Sequence, residues 1–169
     1  MAEIYNDPII KKYIQLIEAK TDGIFRGYYQ GDPIRIPSSK LPAIVLSKAQ
    51  TRIGPLTNAE DEHGMAMILS VVVDIRDEIS DDTQIAPGVA RLYDIMEGRE
   101  EATYKLKANS LLNILRTSIL VDATYNLRTD LSSITQADYG LTIGKRSQEG
   151  NGYAVEGQIE FIAYYTQLR

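Results

Sequence analysis

The sequence predicts an α+β fold, an antiparallel sheet with helices packed on one face. Three observations predict it. Strand-like and helix-like stretches are segregated along the chain instead of alternating in short units. A long run from Met65 to Arg76 carries apolar residues with a period of two. Before any long strand pattern, Ile10, Tyr13, Ile14 and Ile17 recur at three- and four-residue spacing, which aligns them on one helical face.

The elements follow in order. Asp7 is placed to cap the first helix, and Pro8 suits its first turn, where no backbone donor is needed. Thr21-Asp22-Gly23 ends that helix, since Gly23 tolerates the left-handed backbone. An extended stretch from Ile24 to Tyr29 precedes a turn at Gly31-Asp32-Pro33. Pro37 and Pro42 then bracket a loop that delivers a strand starting near Pro42. That strand opens on Leu41-Pro42-Ala43-Ile44-Val45-Leu46. A polar, acidic connector, Asn58-Ala59-Glu60-Asp61-Glu62-His63-Gly64, makes the tip of a long hairpin, and Met65 to Arg76 is its return strand. There Met67, Leu69, Val71, Val73 and Ile75 share one face, while Ala66, Ile68 and Val72 occupy the other. Two apolar faces mark an inner strand, or one whose second face meets a neighbour.

Asp77 to Gln84 reads as an acidic loop, and Pro87-Gly88 as a boundary. Val89, Leu92, Tyr93 and Met96 predict a short helix ending at Gly98. A second helix is predicted over about Glu101 to Arg116, with Tyr104, Ala108, Leu111, Leu112 and Leu115 on one stripe, Gly98 being either a break or only a kink between the two. Alternation from Ile119 to Arg128 predicts a half-buried strand. Thr129 to Gly152 is rich in Ser, Thr, Gly and Asp and reads as a long connection, of the kind that is functional or mobile. The last strand is Tyr153 to Thr166. Val155, Ile159, Phe161, Ala163 and Tyr165 face one way and Glu156, Gln158 and Glu160 the other.

A chain of 169 residues fits one domain, 1–169, and its 44% hydrophobic content suffices for a core. There are no cysteines, which excludes disulfides, thiolate metal sites and cysteine nucleophiles. The first residues carry neither the basic patch nor the apolar stretch of a secretion signal. No apolar run approaches the roughly 20 residues that cross a bilayer, so no membrane is expected. The net charge of −5 argues against tight binding of nucleic acid, because phosphates must be neutralised by Lys and Arg. It also lets a polyanion pass without sticking. Tyr numbers 11 against 2 Phe and no Trp. A Tyr-rich composition suits protein contacts, because the ring buries area while the hydroxyl tolerates water. It equally suits the rim of a core.

Possible sites of chemistry are thin. Gly140-Leu141-Thr142-Ile143-Gly144-Lys145-Arg146-Ser147 has three residues between its glycines where a phosphate loop has four, and Arg146 separates Lys145 from Ser147. Asp74, Asp77, Glu78, Asp81 and Asp82 offer oxygen ligands, but without the glycine turn and late bidentate Glu of a calcium loop. Glu60, Asp61, Glu62 and His63 form a third group. His63 is the single histidine, which excludes a multi-His zinc site, and any Ser-His-Asp triad would have to use it. Its place at a hairpin tip makes burial and orientation hard to arrange. The expectation is therefore no catalytic, cofactor or metal residues, and a protein that works by contact. The other readings are an adaptor of the same fold and a metal-dependent hydrolase built on the acidic loops.

Leu41-Pro42-Ala43-Ile44-Val45-Leu46, the polar hairpin tip, the return strand to Arg76 and the closing Gln158-Ile159-Glu160-Phe161-Ile162-Ala163-Tyr164-Tyr165 resemble the tail terminator family of long-tailed (siphovirus-type) bacteriophages. The order of elements matches over nearly the whole chain. The resemblance implies a phage tail terminator or tail-to-head joining type of α+β fold and a structural role in the virion tail, with assembly in the host cytoplasm. Such proteins form a six-membered ring on the finished tail tube. The ring stops further addition of tube subunits and presents a surface to the head connector or neck protein, and DNA passes through without specific binding. The alternative role in the same fold is a tail-to-head joining protein. The chain departs from shorter members in its longer helical region and in Thr129 to Gly152. The expected partners are further copies of itself, the tail tube protein and the head connector. The expected contact residues are Glu60, Asp61, Glu62, Asp77, Asp81, Asp82, Tyr164 and Tyr165.

Overall fold

Seven strands form a single sheet in the computed structural model, which describes residues 7–31, 33, 36–75, 87–143 and 153–169. The strands are β1 (Gly27–Gln30), β2 (Ala43–Pro55), β3 (Glu60–Asp74), β4 (Leu120–Asp122), β5 (Leu127–Thr129), β6 (Thr135–Ile143) and β7 (Tyr153–Leu168). Their order is β1-β2-β3-β7-β5-β4, and β6 also pairs with β7, continuing the line of β5. All pairs are antiparallel except β1 with β2, which run parallel. Three α-helices among the described residues, α1 (Pro8–Thr21), α2 (Pro87–Glu97) and α3 (Leu111–Thr117), share one core with the sheet. The chain is thus an α+β protein.

Helix α1 forms where the spacing predicts it. The Asp7 carboxylate accepts hydrogen bonds from the N–H groups of Ile9 (2.9 Å) and Ile10 (3.2 Å), satisfying donors that a first turn leaves unpaired. Ile10, Tyr13, Ile14 and Ile17 are all buried. At the other end the left-handed backbone begins one residue earlier than expected, at Asp22 (φ 46°), and continues at Gly23 (φ 77°).

β3 is an inner strand, between β2 and β7, as its two apolar faces predict. Met65, Met67, Leu69, Val71, Val73 and Ile75 join the helix-side core with Ile44 and Leu46 from β2 and Val155, Ile159, Phe161 and Ala163 from β7. Each of these side chains larger than Ala163 contributes about 1.5–3 kcal/mol by leaving water. A smaller cluster lies on the opposite face, where Ile36, Leu41, Ala43, Val45, Val72 and Ala154 pack together. Ser70 and Glu156 are buried beside it, and farther along that face Glu160 is exposed.

Four expectations are corrected. The hairpin turn is Leu56–Ala59, so Glu60, Asp61, Glu62 and His63 belong to β3 and not to the tip. The helix predicted over Glu101 to Arg116 shrinks to α3, because residues 98–107 close into a hydrogen-bonded loop with an isolated bridge between Arg99 and Leu106. Gly98 makes the loop possible. A Cβ there would lie 2.4 Å from the Asp94 carbonyl oxygen. The strand predicted from Ile119 to Arg128 is two short strands around a turn, with Asp122 Oδ1 accepting from the N–H of Thr124 (2.9 Å) and Asn126 left-handed (φ 51°). Finally, part of the predicted connection from Thr129 is strand β6, paired with β7 from Thr135 to Ile143.

The join between β5 and β6 shows how a polar sequence continues a sheet. Thr129 pairs with Ala163 and Thr135 with Glu160, so six steps on one side face three on the other. The excess is taken up in a 3-10 turn, Leu131–Ser133. The Asp130 N–H donates to the Ile162 carbonyl (2.9 Å), and the Ile162 N–H donates to Ser133 Oγ (2.7 Å). A serine hydroxyl thus replaces the missing backbone acceptor.

Candidate interaction surface

Beyond Ser47, β2 is exposed on both faces apart from Gly54, which is half-buried, so the outer half of β2 borders the sheet beside the buried β3. β3 carries the acidic triplet at this end of the sheet. Alternation sends Glu60 and Glu62 to the open face and Asp61 with His63 to the helix side. The register then brings the triplet against the end of β7. Glu60 pairs with Leu168, Glu62 with Thr166, His63 with Tyr165 and Gly64 with Tyr164. Five of the expected contact residues, Glu60, Asp61, Glu62, Tyr164 and Tyr165, therefore meet in one place. Asp77, Asp81 and Asp82 lie outside the described residues.

Two of the three carboxylates are neutralised within the chain. Asp61 Oδ1 accepts from Arg169 Nε (2.9 Å) and Nη2 (2.7 Å). That hydrogen-bonded guanidinium holds the Asp61 carboxyl below the usual range, against a smaller opposing effect of desolvation. The Arg169 guanidinium is pushed up in turn by Asp61. Glu62 pairs with Nη2 of Arg128. The Arg128 guanidinium also sits over the Tyr164 ring, 5.4 Å from its centroid. Tyr164 lies across Gly64 so closely that a Cβ there would fall 2.9 Å from its ring. Arg128 Nη1 is buried without a hydrogen-bond partner.

His63 is not a solvated tip residue. It is 8% exposed, and its ring stacks on Tyr165 at 4.3 Å between centroids and 29° between planes. Burial comes from the strand on either side, which a reading of His63 as part of a loop could not supply. Its nearest carboxylate along the same face, Asp61, is occupied by Arg169. Among the described residues, no group of three His, Asp or Glu side chains is arranged to hold a metal ion. No helix among them is long and apolar enough to cross a membrane.

Sequence reasoning missed both arginines and the apolar residues around this end. Ile53, Leu56, Tyr125 and Leu168 are all at least half exposed. Leu56, Tyr125, Tyr165 and Leu168 help line an open cavity of about 770 Å³, and Arg52, Gly64, Ile162 and Tyr164 help line another of about 450 Å³ on the open face. The cross-strand partner of Glu62 is 66 residues away in sequence, and no local pattern announces it.

The fold and this surface define an α+β protein whose sheet ends in a β2–β3–β7 corner, with β3 carboxylates paired to Arg128 and Arg169 and exposed apolar side chains around them. No known family model matches the chain, and no curated protein does. A solved structure aligns with 94% of this chain and 90% of its own at 12% identity, with a TM-score of 0.37. A likeness of that size carries no argument about function.

Proposed function

We propose that this chain is the subunit of a ring that caps the completed tail tube of a long-tailed bacteriophage, halts tube growth and offers a surface for head attachment. The resemblance in the Leu41–Leu46 strand, the long hairpin and the closing strand supplies the role. The observation that carries it is a pair of unlike strand edges on one sheet. β1 covers β2 only from Ala43 to Leu46, so from Ser47 onward β2 pairs with β3 alone among the described residues. At the other side, β6 pairs with β7 alone among them. An unpaired strand edge is a template for another strand. Two different edges on one molecule favour a head-to-tail contact, and such contacts close into rings when the rotation allows. β7 offers no such edge over most of its length, because β3 takes one side of it and β5 and β6 most of the other.

The reading also sets a role for charge. With Asp61 and Glu62 paired, repulsion of passing DNA rests on Glu60, on the acidic sequence around Asp77, Asp81 and Asp82 and on the net charge of −5. The test is negative-stain imaging of the purified protein mixed with tail tubes. Caps at one end only are expected. Decoration along the tube wall, or no binding to tubes, rules the role out, and capture by the head connector alone points to the joining role.

A further inference from the structure

We draw no further inference here: the strongest candidate, the edge of β2 from Ser47 to Pro55 with the open cavity beside it over Gly54 and Gly64, belongs to the surface already described, and nothing in the structure shows what covers it.

Discussion

Tyr13 is wholly buried, and its hydroxyl lies 2.8 Å from Thr129 Oγ1, linking α1 to the end of β5 across 116 residues. The ring of Tyr13 packs on Phe161 with centroids 5.1 Å apart. Thr129 is 2% exposed, so neither hydroxyl can turn to water if its partner is removed. Tyr13→Phe keeps the ring and orphans Thr129 Oγ1. Thr129→Val keeps the shape and orphans the phenol. Each should cost about 1–3 kcal/mol, the penalty for a buried polar group left unsatisfied. The double variant removes both polar groups and should cost no more than about 1 kcal/mol. Urea unfolding reads the difference, because a loss of about 2 kcal/mol with a slope of about 2 kcal/mol/M moves the midpoint by roughly 1 M. If the two costs simply add, the hydrogen bond is not the link between α1 and β5. Alkaline pH gives an independent reading. Burial pushes the Tyr13 phenol up to about 12 from 10.0, against a smaller lowering by Thr129. The stability tied to its neutral form is full below pH 10.0 and is lost as pH rises through about 12. On the order of 2–3 kcal/mol of the parent's alkaline loss should therefore be missing in Tyr13→Phe.

Ser133→Ala should cost about 1–3 kcal/mol and speed hydrogen exchange at the Ile162 amide above its neighbours in β7, since that amide loses its acceptor. Unchanged exchange at Ile162 would mean that water serves equally well. Asp7→Ala should lower stability by about 1 kcal/mol through loss of the α1 cap. Burial raises the Asp7 carboxyl, but Lys48 and the N–H groups of Ile10 and Ile9 together hold it below 3.8. The contribution of Asp7 is thus present above pH 3.8 and fades as pH falls below it, so the gap between parent and variant should narrow in acid. Tyr104→Asn should raise the unfolding free energy by about 0.5–1 kcal/mol, because Asn accepts the left-handed backbone more readily. A loss of stability there would mean that the ring contributes to folding.

Much of the sheet was legible because burial on alternate residues writes itself into the sequence. Met67, Leu69, Val71, Val73 and Ile75 hold one face of their strand and Val155, Ile159, Phe161 and Ala163 one face of theirs, and both strands are interior. The misreadings share a physical cause. Tyr104, Ala108, Leu111, Leu112 and Leu115 fit a helical stripe, yet Tyr104 points to water, since tertiary closure of residues 98–107 outweighs a weak helical preference. Thr135 to Ile143 lacks a strong apolar stripe, and its strand exists because β7 offers an unpaired edge to match. At the candidate surface the acidic residues were visible, but their neutralisation was not. Arg128 and Arg169 reach Glu62 and Asp61 only through the register of β3, β5 and β7, and register is a property of the folded sheet.

The position of β7 has a consequence for the order of events during synthesis. It follows every other strand in this sequence, yet it lies between β3 and the pair β5 and β6. Until translation has passed Leu168, β3 lacks its longest partner and β5 and β6 have no neighbour to hold them in line. Contacts that span so much chain form slowly. A nascent polypeptide therefore cannot complete the sheet ahead of time, and premature termination before Tyr153 should yield material that proteases clear instead of a half-built subunit.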